Sequence, residues 1–574
     1  MRIRVLVVTA AAIVATVAAV AGGGAASAGT SPALPNVVII QTDDQTLDSM
    51  KFMPKTRALI GDEGATFLNH YANWPVCCPS RATMQTGQYS HNHGVLGNSP
   101  PEGSYSAFDT ANTLALWLQA RGYVTAHIGK FLNGYGGGDE AAQTEVPPGW
   151  SEWDTGTAGT TQLVYDYTQN VNGVLVPHGQ AETDFKQDFY TDRAIELIGQ
   201  YTAGSVPLYL QLDYTAPHGG GPNPNPLPPD DCGGGPKPAP RHATAFDTEP
   251  LPEPQGFNEV DVTDKPQAIQ NLPLMTEQEI ATITRRYRCR IESLLSVDEG
   301  VEEIIGALEA AGALDNTYVL FTSDNGFFHG EHRVQTGKSR VYEPSVRLPL
   351  LMRGPDVPAN VDVRDLTINA DLATTVVDVS GATPTVALDG LSLLPAVLRP
   401  WIERGRELLL ETNLYSAVHT QRYVYAEYTT GEKELYDLRL DPFQLQSRHA
   451  DPAYDDVRQR LVTRLAALRT CAGVSCTRTP GLRLRVQSKH KRQNGHRCSQ
   501  PPVDVSVLGD EAGGLVEAEF FARGDLIATD RSAPFARKLR RHDLQGQGLA
   551  PIRVRASLID GRRMGWEREL RICR

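Results

Sequence analysis

The apolar residues of this chain form two kinds of pattern. Some lie in short continuous runs rich in Val, Ile and Leu, as expected for strands that are buried on both faces of a sheet. Others recur at helical spacing, in short segments at 54–61 and 114–118 and in a long stretch at 277–311 that forms one helix or two consecutive helices. The predicted strands lie at 36–40, 123–128, 207–212 and 318–321. This arrangement predicts an α/β region.

The pattern changes after residue 400. Short antiparallel strands are predicted at 408–411, 423–428 and 434–438, followed by a helix at about 454–469. From about residue 480 onward, apolar and polar residues alternate with a period of two, which predicts a small β-sandwich. We interpret Lys489-His490-Lys491-Arg492 as a basic linker that leads into this module. The module binds glycan or cell wall, or only stabilises the protein, and the pattern favours none of these roles.

The first 28 residues resemble a secretory signal. Arg2 and Arg4 precede an apolar run, and Ala26-Ser27-Ala28 supplies an Ala-x-Ala cleavage site. The alternative is an uncleaved membrane anchor, but glycines at 22–24 shorten the apolar run to the lower limit for a spanning helix. We therefore expect cleavage, secretion and no stable membrane insertion.

Length and charge limit the possible functions. The 574 residues exceed one ordinary hydrophobic core, so at least two domains are expected. The net charge of −13, without a long basic run, argues against nucleic acid or an anionic membrane as the main partner. A local cationic pocket would still bind a small anion.

Acidic and amide side chains follow two of the buried runs directly. Asp43 and Asp44 end the first predicted strand, and Asp324 and Asn325 end the last one. Open α/β sheets place ligands at the carboxyl ends of their strands, and adjacent acids repel each other unless a cation offsets them. Oxygen ligands select Ca²⁺ or Mg²⁺ over zinc. The alternative for Asp43 and Asp44 is a helix N-cap with an acidic first turn.

The most specific chemistry lies at residues 76–81, Val-Cys-Cys-Pro-Ser-Arg, with Thr86-Gly87 completing the run. A cysteine two residues before Pro-Ser-Arg resembles the maturation signal of the type I sulfatases. The resemblance implies that a formylglycine-generating enzyme oxidises Cys77 to Cα-formylglycine before the chain folds. A hydrated aldehyde suits sulfate-ester hydrolysis, because one hydroxyl attacks sulfur and the other expels the sulfate by re-forming the carbonyl. Otherwise, Cys77 and Cys78 are ordinary buried or disulfide-bonded thiols.

Further residues match the same family. Arg81, Lys130, His218 and Lys338 occupy the positions of residues that contact the sulfate group, and His218 or Lys338 is implied to protonate the departing alcohol. The resemblance also implies that calcium is the bound ion. Its implied ligands are Asp43, Asp44, Asp324, Asn325 and an oxygen of the modified Cys77.

The sequence departs from the family at two histidine positions. Many members carry a histidine two residues after the sulfate-binding lysine, where this chain has Leu132. Relatives often carry a second histidine four residues after the aspartate that corresponds to Asp324. This chain has Phe328 at that position, and His329 comes one residue later. We expect His329 to support the site or the structure. His91 and His93 are interpreted as surface or supporting histidines, because hard cations prefer the acidic ligands.

Several local features resemble one branch of the family, which contains the N-acetylglucosamine-6-sulfatases and the extracellular endosulfatases. They are Leu132-Asn133, His91-Asn92-His93 and Pro-Pro-Gly-Trp at 147–150. The resemblance implies a sulfated glycan as the substrate. A Gly/Pro-rich segment at 219–256 is predicted to be a long loop over the site.

The resemblance also implies the architecture. We expect an α/β fold like that of the alkaline phosphatase superfamily, with a mixed, mostly parallel sheet between helices, a small α+β C-terminal subdomain and a β-sandwich tail. The expected parts are a signal peptide at 1–28, a catalytic domain at 35–398, a smaller subdomain at 399–480 and an immunoglobulin-like accessory domain at 481–574.

Eight cysteines fit an oxidising compartment. If Cys77 is converted, seven remain and one stays unpaired, for which Cys78 is the candidate. The simplest pairing of the others, among those the sequence leaves open, joins Cys232 with Cys289, Cys471 with Cys476 and Cys498 with Cys573.

Other functions remain open at this point. A general arylsulfatase, or a phosphonate or phosphate-diester hydrolase of the same superfamily, would use the same site. A non-catalytic glycan-binding protein would not need Cys77. A hydrolase that uses an unmodified Cys77 thiolate leaves the Pro-Ser-Arg run without a role.

Overall fold

The computed structural model describes residues 34–573, apart from 203, 205, 221–231, 233–234, 494 and 545–547. The predicted signal peptide and part of the predicted loop at 219–256 lie outside these residues. Of the helices that are described, none has the length and apolar character needed to cross a membrane.

The described strands between residues 34 and 440 belong to three sheets. In chain order they are β1 (Asn36–Thr42), β2 (Ala65–Phe67), β3 (His70–Tyr71), β4 (Val124–Gly129), β5 (Glu152–Gly156), β6 (Thr168–Val171), β7 (Val174–Pro177), β8 (Leu208–Asp213), β9 (Thr317–Ser323), β10 (Arg347–Leu348), β11 (Leu350–Arg353), β12 (Val361–Val363), β13 (Thr367–Ile368), β14 (Leu408–Glu411), β15 (Tyr415–His419), β16 (Tyr423–Tyr428) and β17 (Lys433–Asp437).

The largest sheet has ten strands in the order β12-β2-β11-β9-β1-β8-β4-β5-β6-β7. Its central strands β9, β1, β8, β4 and β5 run parallel to one another. Strand β11 joins β9 in the antiparallel direction, and β6 and β7 extend the other side as an antiparallel pair. The prediction of a mixed, mostly parallel sheet is confirmed.

Helices cover both faces of this sheet. Along β1, Val37 and Ile39 pack into one core, whereas Val38 and Ile40 pack into another on the opposite face. This explains the continuous apolar run, because each successive side chain enters a different core. The described α-helices of four or more residues are Cys77–Thr86, Ser90–His93, Leu114–Arg121, Glu140–Gln143, Lys186–Tyr201, Gln267–Gln270, Glu277–Ala310, Glu343–Val346, Ala370–Ser380, Leu394–Leu398 and Asp455–Leu468.

The long helical prediction at 277–311 and the short one at 54–61 have different outcomes. The stretch at 277–311 is one helix, Glu277–Ala310, and Thr276 and Glu279 form a capping box at its start. The segment at 54–61 is less regular, since one α-helical turn, Pro54–Thr56, continues as the π-helical turn Arg57–Asp62.

After residue 400, strands β14 to β17 form an antiparallel sheet, and the helix Asp455–Leu468 contacts it. The predicted strands and helix are present. Strand β15 was not predicted, because nearly all of its side chains are buried and it lacks the alternation of a half-exposed strand.

The tail is a sheet of seven strands in the order β18-β19-β24-β23-β20-β21, with β22 paired to β19. Their bounds are β18 (Leu482–Gln493), β19 (His496–Gly509), β20 (Leu515–Ala522), β21 (Asp525–Asp530), β22 (Ala536–Leu539), β23 (Gly548–Leu558) and β24 (Arg563–Ile572). The interpretation of 489–492 as a linker was wrong, since these residues end β18 and pair with β19. They lack an apolar alternation because their side chains are exposed on both faces of the strand.

The three disulfides are Cys232–Cys289, Cys471–Cys476 and Cys498–Cys573. Cys77 and Cys78 are the free cysteines, and both are buried. The simplest pairing is thus confirmed. The disulfide Cys232–Cys289 joins the loop after β8 to the long helix. The disulfide Cys498–Cys573 ties the end of the last strand of the tail to β19.

Candidate active site

The carboxyl ends of parallel strands meet at one edge of the large sheet. Strand β1 leads into Asp43 and Asp44, β9 leads into Asp324 and Asn325, and β4 leads into Lys130. The helix Cys77–Thr86 begins at the same place. All of the predicted site residues come together here, as the contacts among Asp43, Asp44, Cys77, Arg81, Lys130, His218, Asp324, Asn325 and Lys338 show.

Asp44 has an unusual backbone conformation, with a φ of 67° in the left-handed region. Its amide donates to Asp324 Oδ1 at 3.0 Å, and its carbonyl accepts a hydrogen bond from the Arg290 guanidinium at 2.5 Å. Asn325 Nδ2 donates to Asp44 Oδ1 at 2.5 Å. These bonds offset the strain and hold two successive carboxylates in one buried place.

Cys77 is the first residue of its helix and is buried. Its Sγ lies 2.9 Å from Lys338 Nζ and 3.8 Å from Asp43 Oδ1. Burial raises the pKa of the thiol, and the positive charges of Lys130 and Lys338 only partly oppose that effect. An unmodified Cys77 is therefore held as a neutral thiol.

The acids and bases of the site neutralise each other. Lys130 forms an ion pair with Asp43, and Lys338 forms one with Asp44. Burial by itself would raise the pKa of both aspartates, but the neighbouring cations outweigh it and leave the pKa of each below its usual value. Burial, together with the charge of Asp43, raises the pKa of Asp324 to about 6. Asp324 is therefore the carboxylate whose burial is least offset by the neighbouring cations.

The backbone before Lys130 requires glycine. Gly129 has a φ of 108°, and a Cβ atom there would lie 2.0 Å from the carbonyl oxygen of Asp213. This close approach of β4 to β8 lets the Lys130 amide donate to the same carbonyl at 2.9 Å. The side chain of Lys130 is thereby fixed over Asp43.

Arg81 connects three strand ends. Its Nε donates to Asp324 Oδ2 at 3.0 Å and its Nη1 donates to the carbonyl of Lys130 at 2.8 Å. Nη1 also lies 3.6 Å from Asp213 Oδ2, which is 3.0 Å from His127 Nε2. The guanidinium is buried and has little freedom to move.

His218 lies at the exposed side of the site, with 26% of its side chain accessible. Its Nδ1 donates to the carbonyl of Gly219 at 2.7 Å, because a carbonyl oxygen only accepts. Its Nε2 lies 3.7 Å from Asp44 Oδ2. Burial lowers the pKa of His218, so the neutral ring carries its free lone pair on Nε2.

Part of the donor set at this edge fits a hard divalent cation. One ligand atom from each of Asp43, Asp44, Cys77 and His218 lies within 4.8 Å of the others. Asn325 Oδ1 is buried beside them and has no hydrogen-bond partner among the described residues. Asp43, Asp44 and the unpartnered Asn325 oxygen are of the oxygen type that calcium prefers, whereas the cluster also contains the Cys77 sulfur and a His218 nitrogen and leaves out the predicted ligand Asp324.

The remaining histidines of interest lie outside this group of ligand atoms. His91 Nδ1 is 3.0 Å from Glu411 Oε1, and His93 Nε2 is 3.0 Å from the hydroxyl of Thr83. His329 packs against Tyr287 and Phe327 and lines a cavity of about 650 Å³.

Sequence reasoning missed two residues that support the site. Asp213 ends β8, so the rule that identified Asp43 and Asp324 would also have found it. Arg290 gave no such signal, since it lies in the middle of the helix Glu277–Ala310. Its guanidinium carbon lies 3.9 Å from the centroid of the Phe327 ring, and its hydrogen bond to Asp44 forms only in the folded protein.

Comparison with known proteins identifies the family. The sequence profile described as "Sulfatase" matches residues 35–382, and the profile "N-sulphoglucosamine sulphohydrolase, C-terminal" matches residues 330–471. The chain belongs to the sulfatase family. The predicted family resemblance is confirmed, and membership makes the protein a sulfuric ester hydrolase by class.

The chain is also similar in sequence to individual sulfatases. An N-acetylglucosamine-6-sulfatase of Homo sapiens is 32% identical over 501 residues, which cover 78% of this chain and 86% of that protein. An arylsulfatase of Volvox carteri is 32% identical over 522 residues, covering 79% of this chain and 77% of that protein. An extracellular sulfatase Sulf-1 homologue of Caenorhabditis elegans is 34% identical over 395 residues, covering 65% of this chain. The match spans only 52% of the length of that third relative.

A solved structure supports the fold. A protein in complex with its substrate D-glucosamine-2-N,6-O-disulfate matches with a TM-score of 0.63 and 23% identity, covering 75% of this chain and 97% of that chain. At this identity the likeness concerns the fold, which is the alkaline-phosphatase-like fold of sulfatases.

The role of Asp213 can be tested by Asp213→Asn. The substitution keeps the shape but removes the charge beside Arg81 and one acceptor of the hydrogen bonds from His127 and Gln211. We expect a loss of about 2 kcal/mol in unfolding free energy, because hydrogen bonds to charged groups contribute roughly 1.5–3 kcal/mol. Denaturant unfolding provides the measurement, and Asp378→Asn on an exposed helix position is the matched control. Equal stability of the two variants would show that Asp213 does not hold the network.

Proposed function

We propose that this protein is a secreted sulfatase that hydrolyses sulfate monoesters of glycans, using a formylglycine derived from Cys77 and a bound Ca²⁺. The observation that carries the proposal is the place of Cys77. The residue that matches the maturation signal is buried at the start of a helix, beside Lys338 and Asp43. Its neighbours suit a group that attacks an anionic ester. The extracellular relative and the predicted signal peptide support secretion.

The chain's own residues supply charge and orientation. When present, formylglycine supplies a hydrated aldehyde as the nucleophile, and Ca²⁺ supplies positive charge for the sulfate oxygens. Burial by itself would lower the pKa of Lys130 and Lys338, but the surrounding carboxylates raise it above the usual value. Both lysines therefore stay cationic and stabilise the charge of the sulfate group. Preorganised charges of this kind usually contribute most to such reactions.

Proton transfer to the departing alcohol is assigned to Lys338. Its Nζ lies 2.9 Å from the side chain of residue 77 and carries protons at neutral pH. His218 is the other candidate, but its neutral ring has a lone pair on Nε2 and must gain a proton before it can donate one there. Arg81 is locked by Asp324 and the Lys130 carbonyl, so it holds the site in shape and adds positive charge.

The other functions fit the site less well. A thiolate hydrolase needs an ionised cysteine, whereas burial raises the pKa of Cys77. A glycan-binding protein without activity does not need the buried lysine and aspartate pairs around that residue. A general arylsulfatase remains the second candidate, because the Volvox relative bears that name. Phosphonate or phosphate-diester hydrolysis has the weaker support of a shared fold with a phosphonate monoester hydrolase of 21% identity.

The first test concerns the modification itself. Protein produced with a formylglycine-generating enzyme should contain a peptide of residues 58–81 that is about 18 Da lighter than the cysteine form, because an aldehyde replaces the thiol. Fragment ions from mass spectrometry should place the change at Cys77 and not at Cys78. The Cys77→Ala variant should lack both the change and the activity. An unmodified Cys77 in fully active protein would contradict the proposal.

The second test concerns the metal. Removal of Ca²⁺ by a chelator should abolish activity and lower the thermal midpoint, and added Ca²⁺ should restore both. An ion at 100 times its Kd stabilises the folded state by about 2.7 kcal/mol, so the shift is measurable without turnover. Asp324→Ala should lose the Ca²⁺-dependent shift, whereas the exposed control Asp378→Ala should keep it. Full activity in protein shown to be metal-free by elemental analysis would refute the assignment.

The third test concerns the substrate. The branch features and the human relative favour 6-sulfated N-acetylglucosamine units. We expect kcat/KM for N-acetylglucosamine-6-sulfate to exceed that for nitrophenyl sulfate by at least about tenfold, or roughly 1.4 kcal/mol of transition-state binding. An aryl sulfate has the better leaving group, so this preference requires contacts to the sugar. Equal values, or a preference for the aryl ester, would instead assign the protein to the general arylsulfatases.

A further inference from the structure

The far end of the β18–β19 hairpin differs in charge from the rest of the protein. Residues 481–503 contain six lysines and arginines, two histidines and no acidic residue, whereas the whole chain has a net charge of −13. We define the cationic ribbon as Lys489–Arg492 of β18 together with His496 and Arg497 of β19. All six of these side chains are exposed.

The ribbon projects as two strands that pair only with each other over most of its length. Lys491 faces Cys498 and Arg492 faces Arg497 across the hairpin. The other neighbours of β19 begin later, since β24 pairs at Ser499 and β22 pairs from Val503 onward. Cys498 is joined to Cys573, so the base of the ribbon is fixed to the tail domain. The ribbon is therefore fixed at its base by the disulfide, and its other end is accessible and positively charged.

The charges of the ribbon have no ion-pair partners in the part of the chain that the structure describes. Among the described residues, no carboxylate lies within ion-pair distance of Lys489, Lys491, Arg492 or Arg497. Arg492 and Arg497 stand directly opposite each other, an arrangement that is unfavourable unless an anion lies between or beside them. The other cations of β18 extend this charge along the strand, because Arg483 and Arg485 are also exposed and are separated by the less exposed Leu484.

This spacing suits an extended polyanion. Alternate residues of a strand are about 6.8 Å apart, so the line from Arg483 to Lys491 extends over roughly 27 Å. A single small anion would use one or two of these cations, whereas a linear chain of anionic groups would use all of them. Guanidinium groups also match the geometry of oxyanions and make paired hydrogen bonds to them.

We propose that the cationic ribbon is a docking surface for sulfated polysaccharide, separate from the catalytic site. The choice of a sulfated chain rests on the proposed function, since an enzyme that removes sulfate from glycans would gain from holding the polymer while its end enters the site. The ribbon lowers the KM for polymeric substrate and leaves the chemical step unchanged. This role also explains why the tail, rather than the catalytic domain, carries these unpaired cations.

The competing explanation is protection of the sheet edge. Strand β18 lies at an edge, and charged residues on edge strands prevent pairing with other molecules. Edge protection works with positive or negative charge, whereas polyanion binding works only with positive charge. Substitution of the ribbon cations by glutamate distinguishes the two, because it keeps the edge charged and reverses the sign.

The test compares three variants of the full chain in binding to heparin. The ribbon variant carries Lys489→Gln, Lys491→Gln, Arg492→Gln and Arg497→Gln, and a second variant carries glutamate at the same positions. The control changes four exposed arginines elsewhere, Arg57, Arg121, Arg399 and Arg439, to glutamine and has the same net charge as the first. We expect both ribbon variants to bind heparin at least about tenfold more weakly than the control, with a weaker dependence on salt, because fewer counterions are released.

Binding and kinetic measurements test the docking surface and the proposed function independently. Binding is measured on the Cys77→Ala background, which needs no turnover, and kinetics are measured on the converted enzyme. The ribbon variant should keep its kcat/KM for N-acetylglucosamine-6-sulfate and show a raised KM for a sulfated polymer. An active enzyme whose ribbon variant binds heparin as the control does would overturn the docking surface alone. A protein without activity that still binds heparin through the ribbon would overturn the proposed function alone.

Two further results would also overturn the docking surface. Heparin binding that survives in the glutamate variant would leave edge protection as the role of these residues, and light scattering would then show aggregation of the glutamine variant. Ribbon-dependent binding to phosphatidylglycerol vesicles without binding to heparin would assign the ribbon to a membrane surface.

Discussion

The site depends on the burial of several carboxylates at one edge of a parallel sheet. Asp43, Asp44 and Asp324 are almost fully removed from solvent, and isolated ionised groups would be very unstable there. Lys130, Lys338 and Arg81 make the cluster possible by placing positive charge within contact distance. Removal of any one partner leaves an uncompensated charge, so the acids and bases of the site stabilise the protein only as a set.

The sheet topology explains how such a cluster is assembled. Parallel strands β9, β1, β8 and β4 end at the same edge, and each contributes a polar site residue at its carboxyl end or directly after it. The helix that begins at Cys77 adds its first residues at the same point. Gly129 allows β4 and β8 to approach closely enough for Lys130 to reach Asp43. A reactive group at residue 77 is thereby surrounded by charged side chains that hold one another in place.

The tail contributes to the protein in a different way. It contacts the preceding subdomain through buried or partly buried groups, with Arg555 and Arg563 paired to Glu403 and Trp401 packed against Phe521. Its hairpin end carries exposed cations that no such contact uses. Charge is therefore compensated and buried at the catalytic edge, whereas the exposed cations at the hairpin end lack carboxylate partners among the described residues. The first arrangement fixes geometry, and the second is suited to a large ligand that arrives from solution.

The sequence by itself determined the α/β class, the main buried strands, the family and the residues that meet at the site. It did so because buried parallel strands need continuous apolar runs, and because Cys77 with Pro-Ser-Arg, Lys130 and Lys338 lie in short motifs whose chemistry is local. Strand β15, the pairing of residues 489–492, and the contacts of Arg290 and Asp213 were decided only by the tertiary structure. Their side chains are specified by neighbours distant in the chain: Arg290 is 246 residues from Asp44, and Asp213 lies beside Arg81. Local pattern cannot encode a partner that only the packing of strands and helices brings into contact.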